Sequence, residues 1–256
     1  MIKLPLNLVV FSTPAGHFGY KEVYKTSINH LEKKLKLLDF DLGLETFGGR
    51  FAHIKVRDNE NEKKHLPEMV KFFEGKNIKP IITYGNWERG MSHQNEYLKD
   101  IAKVFSTQEL HYQPYSLWFE DDSPIFIKCK SSLKDILGSS IGVLSSNLDI
   151  LNVRFVREGI ETPKTRLNDF LWRMETFDFQ PNISRTRDLY LVSKIIQDNW
   201  EYFSKLQCEM AFRIAMSQLS ASENRFLGFD TDKVTSYHIG SPDYLDYLKL
   251  PDFEGC

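Results

Sequence analysis

The sequence predicts an α/β fold in which a mixed, mostly parallel central sheet is flanked by helices, a Rossmann-like arrangement. Short apolar runs of strand length alternate with longer segments of helical spacing through the first half of the chain. Turn-rich loops follow the apolar runs, as they do where parallel strands deliver the chain to a binding edge. With 256 residues, 41% hydrophobic and 27% charged, the chain can bury a sizeable core.

The first elements are a strand and a helix joined by a turn-prone loop. "LNLVVFS" (6–12) is a continuous apolar run, and "TPAGHFG" after it is rich in turn residues. "YKEVYKTSINHLEKKLKLL" (20–38) has apolar residues at helical spacing. "FAHIKV" (51–56) then reads as a second strand.

The alternation continues to residue 119. A helix is predicted over 66–77, with Pro67 in its first turn, and a strand over 78–85. A helix over 92–106, capped by Ser92, leads to a strand over 114–119.

After residue 130 the pattern loosens. Two further helices are predicted, at 185–199 and at 206–219. No linker or internal repeat is visible, so we expect a single domain over residues 1–256.

Charge and cysteine usage favour an intracellular protein with no global attraction to polyanions. The formal charge of -2 gives no global electrostatic attraction to nucleic acid or anionic membrane. The three cysteines are widely spaced and form no CxxC pair, which fits a reducing, cytoplasmic compartment. Pro5 and Asn7 interrupt the first apolar run, which favours a buried strand over a signal peptide. No stretch is long and apolar enough to span a bilayer.

The stretch "SLWFEDDSPIFIK" (116–128) places three carboxylates at the end of a predicted buried strand. If the strand stays extended, Glu120 and Asp122 point to one side and Asp121 to the other. A divalent cation with oxygen ligands, Mg2+ or Mn2+, would neutralise the converging pair, and a metal-bound phosphate is its natural partner. The alternative is a solvated acidic turn.

Together with several other segments of the sequence, this acidic stretch makes the chain resemble the glycosyltransferase-A fold of nucleotide-sugar-dependent transferases. The matching pieces, in chain order, are "VVFSTPAGHFGYKEVYKTSINHL", "NEYLKDIAKVF", "PYSLWFEDDSP", "FQPNISRTRDLY", "CEMAF" and "YHIG". Glu120-Asp121-Asp122 stands at the D-x-D signature of that family, with Glu in its first position. The resemblance implies that Asp122 binds the metal, that Glu120 binds metal or ribose, and that His238 is a later metal or phosphate contact.

The resemblance also implies a nucleotide-sugar co-substrate, most simply a UDP-sugar, and an acceptor hydroxyl. Residues 1–130 would then form the nucleotide-sugar-binding half, and 131–256 the acceptor half. Thr13 and Gly16 resemble the region that receives the base and ribose. Glu209 resembles the carboxylate that deprotonates the acceptor in inverting members, and the alternative is an exposed helix glutamate.

Two further pairs of residues are candidate donor contacts. Trp87 and Arg89 follow a predicted strand at the same edge, although core packing also explains a tryptophan. Arg185 and Arg187 could bind phosphate bidentately, or could be solvated arginines at a helix start.

Two other functions compete with glycosyl transfer. "GSSIG" (138–142) matches G-x-S-x-G, with Ser140 as the nucleophile of a serine hydrolase and His238 downstream, but the expected strand before it is missing. A non-catalytic nucleotide- or glycan-binding module of the same fold is the other alternative.

The acceptor is the least defined partner. "AGHFGY" and "EYLKDI" resemble glycosyltransferases of bacteriophage genomes, some of which modify hydroxymethylated DNA, and such a protein would work in the host cytoplasm. The acceptor classes are therefore a glycan, a protein, a small molecule or hydroxymethylated DNA. A local basic rim could serve DNA, formed by Lys128, Lys130, Lys134, Arg154, Arg157, Lys164 and Arg166.

Overall fold

The computed structural model describes most of the chain in several ranges. They are residues 3–14, 44, 47–58, 60–86, 91–121, 125–127, 133–156, 165–168, 170–175, 177–179, 181–229 and 234–236. No helix within these ranges combines the length and the apolar character needed to cross a bilayer.

Strands and helices alternate through the first half, as predicted. The strands are β1 (Leu4–Ser12), β2 (Phe47–Arg57), β3 (Lys79–Gly85), β4 (Tyr115–Glu120), β5 (Ile125–Ile127), β6 (Asn152–Arg154), β7 (Thr165–Arg166), β8 (Leu171–Met174), β9 (Asn182–Arg185), β10 (Phe226–Phe229) and β11 (Val234–Ser236). The helices are α1 (Glu60–Gly75), α2 (Met91–Phe105), α3 (Leu133–Ser146), α4 (Thr186–Asp198), α5 (Trp200–Phe203) and α6 (Cys208–Ser217), with a 3-10 turn at Gln108–Tyr112.

Nine strands form one sheet in the order β3-β2-β1-β4-β9-β6-β10-β8-β7. β1 is parallel to β2 and β4, β2 to β3, and β6 to β10. β9 is antiparallel to β4 and β6, and β8 is antiparallel to β10 and β7, so these two strands run against all the others. This confirms the predicted mixed, mostly parallel sheet flanked by helices. β5 and β11 form a separate antiparallel pair.

Helices cover both faces of the sheet, and each face has its own apolar core. Leu6, Leu8 and Val10 of β1 pack in the cluster that includes residues of α1 and α3. Val9 and Phe11 pack in the cluster of α2, α4 and α6. β1 is buried on both sides because its neighbours and both helix layers enclose it, which explains why residues 8–11 are all apolar.

The strand order reverses between β1 and β4. From β1 the chain proceeds outward through β2 and β3, and α2 then returns it to β4 on the other side of β1. Connections that leave two adjacent parallel strands in opposite directions open a crevice outside their carboxyl ends, where ligands bind in open α/β sheets. We call this end of the sheet the carboxyl edge, and the other end the amino edge.

Two predicted helix starts are wrong. α1 begins at Glu60, so Pro67 lies inside the helix and not in its first turn. α2 begins at Met91, so Ser92 is a helical residue and not the cap. Strands β1 to β4 and helices α4 and α6 overlap their predicted ranges, and the helix predicted over 20–38 lies outside the described residues.

Candidate functional site at the carboxyl edge

The acidic residues stand at the end of a buried strand, as the sequence predicts. Tyr115 to Phe119 of β4 are buried, and Glu120 is the first residue of the strand with solvent access. Glu120 lies beside Phe11 of β1 in the parallel register. A carboxylate here reaches water without leaving the strand, so its charge does not carry the cost of full burial.

Asp121 ties the end of β4 to the end of β1. Its backbone N–H donates to the carbonyl oxygen of Phe11 at 2.9 Å. Its carboxylate accepts a hydrogen bond from the Ser12 hydroxyl. Thr13, partly exposed, follows directly. The two strand ends at the reversal are therefore held together by a serine–carboxylate contact.

Glu120 and Asp121 lie toward opposite faces of the sheet, as the alternation predicts. Glu120 follows Trp118 by two residues and so shares its face, the side covered by α2, α4 and α6. Asp121 bonds Ser12, which shares the face of Val10 on the other side. Asp122 lies outside the described residues.

The first turn of α6 places Cys208 and Glu209 near Glu120 at the carboxyl edge. The Cys208 N–H donates to Oε1 of Gln94 at 3.2 Å, which fixes the start of the helix against α2. The pKa of the Cys208 thiol is raised to about 12, first by burial and then by the negative charges of Glu120 and Glu209. Both carboxylates therefore act on one thiol, which stays protonated at neutral pH and is unsuited as a nucleophile.

A buried ion pair positions the segment that contacts Glu209. Nη1 of the fully buried Arg154 lies 3.0 Å from Oδ2 of Asp178. The next residue, Phe179, donates its N–H to Oε1 of Glu209 at 3.3 Å. Burial lowers the pKa of Arg154, whereas the charges of Asp178 and Glu209 raise it. The exposed Glu209 carboxylate is thus oriented by a backbone donor that Arg154 helps to hold.

The predicted metal ligands are only partly within the described residues. Glu120 is described, whereas Asp122 and His238 are not. Among the residues that the structure does describe, no group of three or more His, Cys, Asp and Glu side chains could hold a metal ion. The partly exposed carboxylate oxygens at the end of β4 are nevertheless the donor type that Mg2+ and Mn2+ prefer.

Arg185 and Arg187 do not reach this edge. Arg185 pairs with Tyr115, the first residue of β4, roughly 16 Å along the strand from Glu120. Its guanidinium donates to the carbonyl oxygens of residues 147, 148 and 150 and lies 3.1 Å from Asp188. Arg187 is exposed two residues further along. Because β9 is antiparallel to β4, its carboxyl end lies at the amino edge. Neither arginine is therefore a phosphate contact at the carboxyl edge, which corrects the sequence prediction.

Ser140 is not an exposed nucleophile. It lies inside α3, is fully buried, and donates its hydroxyl to the Ile136 carbonyl oxygen at 3.0 Å. A nucleophile elbow needs the serine at a strand-to-helix turn with an open hydroxyl, and a buried serine in mid-helix meets neither requirement. The serine hydrolase reading is therefore wrong. Arg154 is likewise buried and so cannot belong to an exposed basic rim.

Of the other predicted donor contacts, Thr13 lies at the strand reversal, and Gly16, Trp87 and Arg89 lie outside the described residues. The sequence interpretation missed Ser12 and placed Arg154 in a basic rim, whereas it belongs to a buried ion pair. Neither belongs to a recognisable pattern, although an arginine after "LNV" in an apolar strand is a weak signal of a buried ion pair.

A polar network under α2 was also missed. Lys55 Nζ lies 2.7 Å from Asp100 and 3.2 Å from Glu96. His53 Nε2 lies 2.8 Å from the Thr83 hydroxyl, which donates to Asp100 at 3.2 Å. The pKa of His53 is lowered to about 3, first by burial and then by the charge of Lys55, so the ring is neutral at physiological pH. Histidine and lysine at alternate positions of "FAHIKV" were the available signal.

Comparison with known proteins gives only distant similarity. No family model and no curated protein matches the chain. Among solved structures, a mannose-1-phosphate geranyltransferase from Thermus thermophilus has a TM-score of 0.48 and 9% identity over 97% of this chain and 80% of that chain. A protein assigned as a glucose-1-phosphate thymidylyltransferase from Bacillus anthracis, solved with a sucrose, has 0.49 and 9% over 94% and 92%.

A third structure is a glycosyltransferase involved in glycosylation of the major capsid of PBCV-1, with a TM-score of 0.39 and 11% identity over 87% of this chain and 81% of that chain. All three TM-scores lie below 0.5.

Proposed function

We propose that this protein is a metal-dependent glycosyltransferase that moves a sugar from a nucleotide sugar to an acceptor hydroxyl. The observation that carries the proposal is the placement of Glu120 and Asp121 where the strand order reverses, beside Ser12 and Thr13 of β1. Ligands of open α/β sheets bind outside this point. Carboxylates there would repel a diphosphate, and a bridging divalent cation turns that repulsion into attraction.

The cation would be Mn2+ or Mg2+, held by Glu120, Asp122 and His238. Asp121 is a weaker candidate because its carboxylate already accepts a hydrogen bond from Ser12. When bound, the ion supplies Lewis-acid stabilisation of the negative charge that grows on the departing diphosphate. Thr13, Gly16, Trp87 and Arg89 are the proposed contacts to the rest of a UDP-sugar.

Glu209 is the proposed general base. Its carboxylate lies on the side of the sheet that Glu120 faces, and the Phe179 N–H orients one of its oxygens. It would remove the proton from the acceptor hydroxyl as that oxygen attacks the anomeric carbon. This role requires inversion at that carbon, because an inverting reaction deprotonates the acceptor at the face opposite the leaving group.

The two halves of the chain would each bind a different substrate. Residues 1–130 supply β1 and β4 and would bind the donor, and residues 131–256 supply α6 and would bind the acceptor. We propose a glycan, protein or small molecule as the acceptor, with hydroxymethylated DNA as a further class. The low net charge gives no strong reason to prefer DNA.

The test is a screen of nucleotide sugars with Mn2+, with Mg2+ and with a chelator, measuring free nucleotide and the mass of the product. Acceptor pools should include DNA with hydroxymethylcytosine. We expect metal-dependent release of a nucleoside diphosphate, strongly reduced in Glu120→Gln and unchanged in Lys194→Gln, a surface charge change on α4. A parallel assay with a nucleoside triphosphate and a sugar 1-phosphate tests nucleotidyl transfer, which would release pyrophosphate and form a nucleotide sugar. Binding of nucleotide sugar without turnover across the screen would favour the non-catalytic module.

A further inference from the structure

A second concave site lies at the amino edge, away from Glu120. It is a cavity of about 590 Å³. Its lining residues are Thr165, Arg173, Met174, Glu175, Arg213, Ser217, Glu223, Asn224, Arg225 and Phe226. Phe226 is the first residue of β10, and Met174, its cross-strand partner, is the last residue of the reversed strand β8. The cavity therefore opens at the end of the sheet opposite the proposed donor site.

Three arginines line this cavity, and one of them is held in place by the backbone. Arg225 donates from Nε to the Ser222 carbonyl oxygen at 2.7 Å and from Nη1 to the Ser217 carbonyl oxygen at 3.2 Å. Ser217 is the last residue of α6, so this guanidinium also caps the carbonyl end of the helix. A cation fixed in this way loses little conformational freedom when it binds a ligand.

The other two arginines have no acidic partner within the described part of the chain. Arg213 lies one turn before Ser217 on α6, so both residues belong to one helix face. It is exposed and makes no ion pair with any described residue. Arg173 is half-buried opposite Thr165, and its Nε is buried without a hydrogen-bond partner among the described residues. A buried guanidinium N–H without an acceptor is costly, and a bound anion would remove that cost.

The charge of the cavity favours an anion. Its three arginines outnumber the two carboxylates, Glu175 and Glu223, both of which are exposed. Like charges gathered around one concavity repel each other unless a counter-ion lies between them. Guanidinium groups bind phosphate oxygens bidentately, and the volume is within the range of small-molecule sites.

We propose that this cavity binds a phosphorylated small molecule, with Arg173, Arg213 and Arg225 as the phosphate contacts. The hydroxyls of Thr165 and Ser217 and the amide of Asn224 are polar groups available to the rest of the ligand. The phosphate group belongs to a nucleotide or to a sugar phosphate, and both classes fit the volume. The site is separate from the proposed donor site and does not depend on the proposed glycosyl transfer.

The experiment is isothermal titration of the full chain with pyrophosphate in the presence of a chelator, which prevents metal-assisted binding at the carboxyl edge. Arg213→Gln and Arg173→Gln are each expected to weaken binding about tenfold or more, because each removes a charged donor. Lys194→Gln, an equal charge change on the exposed side of α4, is expected to leave binding unchanged. Uridine monophosphate and a hexose 1-phosphate, titrated in parallel, distinguish the two ligand classes.

Three results would overturn the proposal. They are the absence of pyrophosphate binding, equal binding by both arginine variants and the unmodified protein, and equal weakening by Lys194→Gln, which would indicate a general charge effect. If the Arg173→Gln variant unfolds, the Arg213→Gln variant alone tests the proposal. Arg213 is exposed, so this variant should fold, and thermal denaturation checks that it does. Glu223→Gln gives a further check, because removing a carboxylate from the lining should preserve or tighten binding.

Discussion

Removing either partner of the Arg154–Asp178 ion pair should destabilise the protein by very different amounts. Arg154 is 0% exposed in its side chain, whereas Asp178 is 23% exposed. Asp178→Asn leaves a buried cation without its charged partner, and breaking a buried pair in this way costs about 3–5 kcal/mol. Solvent access at Asp178 and the second carboxylate, Glu209, reduce the expected loss to about 2–3 kcal/mol.

Arg154→Met should cost less. It replaces the buried cation with an apolar side chain of comparable length and leaves behind an aspartate that can be hydrated. Asp178 is already partly exposed, so leaving it without its cation should cost less than leaving the buried guanidinium unpaired, and we expect a loss of about 1 kcal/mol. Urea denaturation at neutral pH measures both variants, and the double variant should recover most of the stability lost in Asp178→Asn.

The test is whether Asp178→Asn lowers the free energy of unfolding more than Arg154→Met does. If Arg154→Met destabilises the protein as much as Asp178→Asn, then the burial of the guanidinium is not what makes the pair important. The functional consequence is also measurable, since both variants loosen the segment whose Phe179 N–H orients Glu209. In an active preparation, kcat should fall in both, with little change in KM for the donor.

Three further outcomes are expected. Asp122→Asn should abolish metal-dependent turnover while circular dichroism and the unfolding midpoint stay the same, and full activity at saturating Mn2+ would contradict a metal role. Glu209→Gln should lower kcat by about 10²–10⁴-fold, the usual contribution of a general base, with the donor Kd unchanged; an equal loss of donor affinity would place this residue elsewhere in the mechanism. The lowered pKa of His53, about 3 against 6.5, means that the unfolded chain binds a proton more readily than the folded protein, so its contribution is complete above pH 6.5 and decreases toward pH 3. The loss at pH 5 should be about 2 kcal/mol, and it should shrink in His53→Gln when urea curves at pH 7 and pH 5 are compared.

The part of the site on β1 and β4 could be predicted from sequence because both strands are buried along most of their length. A strand buried on both faces is a continuous apolar run, and Glu120 and Asp121 interrupt that run abruptly at its end. Parallel strands also bring their carboxyl ends to one edge, so the loop after β1 and the end of β4 had to meet. The local apolar pattern and one general rule of sheet topology were enough to predict this part of the site.

The placement of β9, α3 and Arg154 depended on tertiary structure. The four residues of β9 carry no sign of strand direction, and only pairing with β4 and β6 reveals that Arg185 points to the amino edge. "GSSIG" matches a catalytic motif in sequence, but burial of α3 against the sheet closes Ser140 off.

The sequence by itself determined the α/β class, the central strands and the acidic end of β4, because apolar periodicity and strand length are local properties. Only the tertiary structure decided which charged residues share an environment. Arg154, Asp178 and Glu209 belong to no motif, and they meet because Arg154 of β6 faces the side of the sheet that α6 covers. Electrostatic partners of this kind depend on distances in space, which a linear pattern of residues does not contain.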